Sequence, residues 1–271
     1  MMKRVLMTGA AGGVASMLRP LLRDVYPDLV LSDLKTPLNL TPNETFVPAD
    51  LARLDQVERA CDGIDGIIHL GGFAVEGPWE TILQANIIGC YHLFEAARRK
   101  GVKRVVFASS NHAIGFYPRV QRIGVDVVAR PDSRYGVSKV FGEALGALYA
   151  DKYGLRVLCL RIGNVGQRPV DLRRLSIWLK PEDLLQLIRI GLEHPELRFE
   201  VMYGASLNER TWWDNSVAYN YGYRPTGRAE DHRDFALAEQ AKLPPDPVGD
   251  FYQGGPFCSG EFAGDADRIW G

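Results

Sequence analysis

The chain lacks a CxxC pair and any His/Cys spacing that would hold a metal. Its four cysteines, Cys61, Cys90, Cys159 and Cys258, are scattered through 271 residues. Free thiols in a reducing compartment explain them better than a disulfide framework. No apolar run approaches the ~20 residues that a membrane span needs. The basic start is followed at once by Gly and Ala rather than by an apolar leader core, so no secretory signal is expected. Neither charge sign dominates: the formal net charge is -1, which argues against a general nucleic-acid binder. No internal repeat and no low-complexity segment is present. These absences leave a cytoplasmic protein, of a length that suits one large domain or one domain with a small appendage.

What is present begins with Lys3–Met7, a short apolar strand, followed by Thr8-Gly9-Ala-Ala-Gly12-Gly13-Val14-Ala15 and an apolar-periodic helix through Met17, Leu18, Leu21 and Leu22. Gly9, Gly12 and Ala15 fit GxxGxxG with Ala in the third place. Small residues let the backbone approach a pyrophosphate, and the helix N-terminus then faces the anion. Pro20 is expected to kink or shorten this helix. A second strand, Asp28–Ser32, ends at Asp33, near the ~20-residue offset at which an acid takes the ribose hydroxyls of a dinucleotide. A carboxylate there repels a 2′-phosphate, so NAD is expected over NADP. Phe46–Leu51 reads as a short strand ending in Asp50 and Leu51. Asp50 suits the adenine amino group or the N-cap of a helix over Leu54–Ala60, and Leu51 suits the adenine ring. Gly66–Leu70 is a buried strand ending in Gly71 and Gly72, which allow close approach to a cofactor. His69 in that run reads as a satisfied core histidine. Pro78–Lys100 reads as one long helix with Asn86 in its middle, where a polar amide is expected to brace the backbone beside the next element.

The remainder is organised around Ser109-Ser110-Asn111-His112 and Tyr135-Gly-Val-Ser-Lys139. Arg104–Ala108 is β-branched and reads as a buried strand. Tyr135 and Lys139, four apart, share one face of a helix running to Tyr153, with Gly154 as its stop. A phenol is a poor base at neutral pH, and a nearby ammonium favours the phenolate. Ser110 can hydrogen-bond the oxygen being deprotonated. Leu155–Ile162 is the sixth strand, and Gly163–Pro169 leaves it as a loop. The order so far predicts an α/β, Rossmann-like, doubly wound parallel sheet. Beyond it the pattern breaks, into a basic stretch at 171–176, a helix with Pro181 at its first position, a strand at 199–203 and a short helix after Trp212 and Trp213. No chemistry is expected in the polar tail from Asp231. Residues 1–168 are therefore expected to hold cofactor and catalysis, and 169–271 to form a small substrate-binding portion packed on the same domain.

Taken together, the Gly loop, the acid after the second strand, the Ser110 strand and the YxxxK helix resemble the extended branch of the short-chain dehydrogenase/reductase superfamily. More narrowly, HLGGFAVEGPWE, LQANIIG, VFASSNHAIGFYP, RPDSRYGVSK, Arg173 with LSIW, and WWDNS resemble the uronate dehydrogenases. The resemblance implies NAD-dependent oxidation of a hexuronic acid at its anomeric carbon to an aldarolactone, with no metal. It implies Ser110, Tyr135 and Lys139 as the catalytic group. Cofactor contacts are expected at Gly9, Gly12, Gly13, Val14, Asp33, Asp50, Leu51, Leu70, Gly71, Gly72, Asn86, Tyr135, Lys139 and Ile162. Sugar contacts are implied at Asn111, His112 and Arg173. Arg173 suits a carboxylate, with Arg174 and Arg168 as rival cations. Ala74 and Asn164 depart from the family's pattern, which has Ser at both places. Three further readings stay open: a nucleotide-sugar epimerase or dehydratase, a dehydrogenase of another acidic aldose such as a sulfosugar, and a non-catalytic NAD-sensing protein. A homo-oligomer through the helices at 78–100 and 134–153 is also implied.

Overall fold

Short β-branched runs alternate with amphipathic stretches, and in the computed structural model, which describes residues 2–265, they form one parallel sheet. Strand β1 is Arg4–Thr8, helix α1 Gly13–Arg23, β2 Asp28–Ser32, β3 Glu44–Phe46, α2 Leu54–Ala60 and β4 Gly66–His69. Then follow α3 Trp79–Ile82, a π-helical segment Leu83–Ile88, α4 Gly89–Arg99, β5 Arg104–Ser110, a 3-10 turn Asn111–Ile114, α5 Arg134–Tyr153 and β6 Arg156–Ile162. The remainder holds β7 Asn164–Val165, α6 Leu172–Ile177, β8 Trp178–Leu179, α7 Pro181–Glu193, β9 Phe199–Gly204, α8 Ser216–Asn220, a 3-10 turn Ala229–His232, α9 Arg233–Gln240, α10 Pro247–Phe251 and α11 Pro256–Ser259.

The sheet order is β3-β2-β1-β4-β5-β6-β9, with every pairing parallel. The chain winds outward one way from β1 and the other way from β4, so the switch point lies between them. Open α/β sheets take ligands in the crevice outside the strand ends at such a point. Each face of the sheet is covered. One core cluster includes Leu18 and Leu22 of α1 with Leu184, Leu187 and Ile188 of α7. The other includes Val57 of α2, Leu93 and Phe94 of α4 and Leu145 and Tyr149 of α5. Burial on both faces is why the strands read as continuous apolar runs.

Several expectations need correction. Pro20 does not shorten α1, which continues past it to Arg23. The third strand is Glu44–Phe46 rather than 46–51. Pro48 has no N–H to donate, although Val47 N and Ala49 N still bond to Leu31 and Asp33 carbonyls. Arg53, not Asp50, is the N-cap of α2, and Asp50 Oδ1 instead accepts from Ala52 N at 2.9 Å. The helix at 78–100 contains the π-helical turn, centred on Asn86. The loop after β6 includes β7, paired with β8, and the basic stretch at 171–176 is α6, capped by Asp171. The winding also does not break after β6, because α7 crosses back and β9 joins as a seventh parallel strand. Residues after 168 thus return to the central sheet.

Candidate functional site

At the switch point a cleft of about 410 Å³ opens beyond β1, β2 and β4. Gly9, Gly12, Gly13, Val14, Asp33, Asp50, Leu51, Leu70, Gly71, Gly72 and Ala74 all line it. Gly9 has φ +67°, and a Cβ there would lie 2.7 Å from the Leu70 carbonyl. Only glycine lets the two strand ends approach so closely. Thr8 Oγ1 ties them together, accepting from Gly71 N at 3.1 Å and sharing a 2.7 Å hydrogen bond with His69 Nδ1. His69 is buried, and desolvation pushes its pKa down to about 3, so it is the expected core histidine. No side chain caps the first turn of α1, which leaves its amides free for an anion. Asp33 accepts from Ala11 N at 3.0 Å and from Leu34 N at 2.7 Å, which fixes its carboxylate on the rim. A glycine-floored cleft facing an uncapped helix N-terminus, with a fixed acid at its edge, fits a dinucleotide.

Beside this cleft, β5 delivers Ser110 and α5 delivers Tyr135 and Lys139. Ser133 caps α5, its hydroxyl accepting from Gly136 N at 3.0 Å. A Cβ on Gly136 would lie 2.3 Å from His112 O, so glycine is what allows the start of α5 to touch the 111–114 turn. Lys139 Nζ donates to Ala108 O at 2.8 Å and lies 5.2 Å from the Tyr135 ring centroid. Asn86 does the bracing expected of it. It accepts from Phe73 N at 2.7 Å and donates to Phe73 O at 2.9 Å and to Ser138 Oγ at 3.0 Å. It is behind the cleft rather than in its lining. Behind Ser110, Glu143 pairs with Arg161 at 2.9 Å and accepts from Ser109 Oγ at 2.6 Å.

On the far side are Asn111, His112 and Arg173. With the Asn111 amide donating to Ile162 O at 3.2 Å, its oxygen accepts from Arg173 Nη2 at 2.8 Å. Ile162 therefore meets Asn111 through its carbonyl. Arg173 Nε donates to Gln253 O at 2.8 Å. Desolvation, helped by Arg174 and Arg119, lowers the Arg173 pKa to about 10. Among the described residues no carboxylate lies within 4.0 Å of Arg173, whereas Arg174 pairs with Asp171 and Arg168 stacks over the Phe235 ring at 3.5 Å. Asn164 sits half-buried on β7.

Four residues were missed in the sequence. Glu76 accepts from Tyr135 N at 2.9 Å and from Arg134 at 2.6 Å, and so ties the loop after β4 to the start of α5. Asp132 is bonded to His112 Nδ1 at 2.7 Å. Gln253 and Phe257 come from the tail where no chemistry was expected. Phe257 stacks on His112 with centroids 3.8 Å apart. The tail reaches these residues because it returns across the sheet end, Gly254 N donating to Gly115 O at 2.9 Å. The Gln253-Gly-Gly-Pro run was the one available signal, because it marks a tight backbone approach.

Residues 5–173 match the model of the NAD dependent epimerase/dehydratase family. The chain is 44% identical over 256 residues to a uronate dehydrogenase of Pseudomonas putida, covering 94% of this chain and 95% of that one. It is 46% identical over 258 residues to a uronate dehydrogenase of Agrobacterium fabrum, covering 94% and 97%. The crystal structure of a glucuronic acid dehydrogenase from Chromohalobacter salexigens superposes with a TM-score of 0.92 at 44% identity, covering 98% and 99%. A glycine-floored cleft, a Ser/Tyr/Lys corner and near-complete coverage at this identity lead to one conclusion: the chain belongs to the NAD dependent epimerase/dehydratase family, among its uronate dehydrogenases.

Proposed function

We propose that this protein oxidises a hexuronic acid of the galacturonate or glucuronate type at its anomeric carbon, with NAD as acceptor, giving an aldarolactone. The observation that carries the reading is Arg173, a desolvated guanidinium with no carboxylate within 4.0 Å among the described residues. Burying an unpaired charge is unfavourable, and a sugar carboxylate would relieve it. NAD, held in the cleft lined by Gly9, Gly12, Gly13 and Asp33, would supply the acceptor for the hydride of the anomeric carbon. Tyr135 accepts the proton of the anomeric hydroxyl, and the ring carbon becomes the lactone carbonyl. Lys139 sets its ammonium 5.2 Å from the Tyr135 ring centroid, and Ser110 holds the reacting oxygen. Asn111 orients Arg173, and Glu76 and Asn86 hold the Tyr135 helix against the loop that carries Ala74. Asp33 takes the adenosine ribose hydroxyls.

The same reading makes the protein a cytoplasmic homo-oligomer. Exposed Trp79, Tyr91, Val137 and Leu148 on the helices at 79–99 and 134–153 support it, and size-exclusion mass measurement tests it. The activity is tested by NADH absorbance with uronic acids, neutral aldoses, sulfosugars and UDP-sugars. Uronate turnover with NAD is expected. Conversion of UDP-sugars alone, seen by product analysis because an epimerase or dehydratase returns the hydride and accumulates no NADH, would move the assignment to one of those.

A further inference from the structure

We infer that Asp132 is a positioning residue, fixing His112 as the tautomer protonated on Nδ1, so that Nε2 presents a lone pair to a hydroxyl of the bound sugar. The sugar-binding part of this inference rests on the function proposed above, while the tautomer does not.

Asp132 has a side chain with no exposed surface, and that of His112 is 11% exposed. An ionised carboxylate only accepts hydrogen bonds. Its Oδ1 takes the Ser133 hydroxyl at 2.7 Å, and that hydroxyl in turn accepts from Gly136 N. Its Oδ2 lies 2.7 Å from His112 Nδ1, so the ring nitrogen is the donor. Asp132 N also donates to His112 O at 3.2 Å, so the two residues are joined through side chain and backbone. Room for the carboxylate is carved by two glycines. A Cβ on Gly115 would lie 1.8 Å from Oδ2, and one on Gly254 would lie 2.0 Å from it.

The ring cannot turn to offer its other nitrogen. Phe257 stacks on one face at 3.8 Å, and Tyr135 meets the ring edge-on at 5.8 Å. Nε2, on the ring edge turned away from Asp132, makes no hydrogen bond to the described residues. Burial lowers the His112 pKa, against the opposing pull of Asp132, so the ring is neutral at neutral pH. The groups acting on it are Asp132 ahead of α5, Arg173 on α6, Glu76 after β4 and the Tyr135 ring on α5, with Cys258 on α11 against Asp132. Arg173 donates and His112 accepts, so the two contacts demand different groups of one ligand: an anion and a hydroxyl. A site with two donors would not make that distinction.

The test has two arms. Side-chain 15N spectra of the full-length protein, with His112 assigned by comparison with His112→Gln, report which nitrogen is protonated. Nδ1–H with a bare Nε2 is expected, and an Nε2–H tautomer overturns the inference. Asp132→Asn keeps the shape and removes the charge. It should raise KM for the uronate about three- to tenfold, the worth of one hydrogen bond, with KM for NAD unchanged. Without the carboxylate the imidazolium loses its partner, so the acid rise in KM should move to lower pH. A merely structural role would not shift that limb. If Asp132→Asn leaves the tautomer, KM and the acid limb as they were, the inference fails. If wild type oxidises no uronate, the proposed function fails, and the spectra alone decide the role of Asp132.

Discussion

A guanidinium held away from water with no carboxylate beside it among the described residues is stabilised when an anion arrives, so Arg173 is where the proposed preference for acidic sugars is to be tested. A charge-assisted hydrogen bond contributes about 1.5–3 kcal/mol. Arg173→Ala should therefore lose roughly ten- to a hundredfold in kcat/KM on galacturonate or glucuronate and little on a neutral aldose. An equal loss on both would make Arg173 structural. Tyr135→Phe should remove ~10²-fold or more of kcat while NAD still binds, as expected of a group acting in the proton transfer; kcat above about a tenth of wild type would exclude Tyr135 as base. His69 makes a prediction about stability. Its folded pKa, about 3, lies below the ordinary 6.5, so the unfolded chain binds the proton more readily. Stability is full above pH 6.5 and falls as pH drops from there towards 3. His69→Gln should flatten that slope in thermal melts between pH 4 and 6, and an unchanged slope would count against it. At this scale the sequence was informative where a residue type acts in a local frame, as with Gly9 at its left-handed turn and Asp33 on the rim of the cleft. Asp132 and Glu76 were illegible because an acid in a loop reveals nothing until its partner, far off in the chain, is known.

The helices and strands matter here as holders of distances. Helix α5 can lie against the 111–114 turn only because position 136 has no side chain. Gly136→Ala would place a Cβ against a backbone oxygen, which cannot rotate away. The start of α5 must then shift, and a misplacement of about 1 Å can cost ~10²-fold in rate. A fall of that order in kcat is expected, with the circular dichroism of wild type retained. Activity within threefold of wild type would show that the approach is not needed. The π-helical turn at Leu83–Ile88 is another such device. One extra residue in that turn turns Asn86 towards Phe73 and Ser138, a bulge of the kind often found at functional sites. Strands and most helices were legible because apolar periodicity records burial. The bulge was not, since it leaves the apolar rhythm of 78–100 almost unaltered, and only the odd polar residue betrayed it.

Across the whole molecule, the two ligand regions are built differently. The dinucleotide cleft comes from residues before 86, close together in sequence, most of them at or just beyond the ends of β1, β2 and β4. The proposed sugar side draws on Ser110 to His112, then Arg173, with Gln253 bonded to Arg173 and Phe257 stacked on His112. Arg134 fastens the last of these segments, pairing with Glu76 and with Glu261 at 2.6 and 2.7 Å. Glu261 is largely exposed, so that second pair is worth little by itself. The stacking of Phe257 and the backbone bonds of 253–255 hold the segment instead. Ending the chain after Gly249 should abolish uronate oxidation and leave NAD binding measurable by fluorescence quenching; turnover near that of the full chain would show the segment to be dispensable.

The return of 253–257 over His112 and Arg173 also sets a timetable. A ribosome delivers the dinucleotide half long before the segment that completes the sugar half. Helix α1 also waits for its cover, Leu184, Leu187 and Ile188 of α7, so both halves are completed only by late segments.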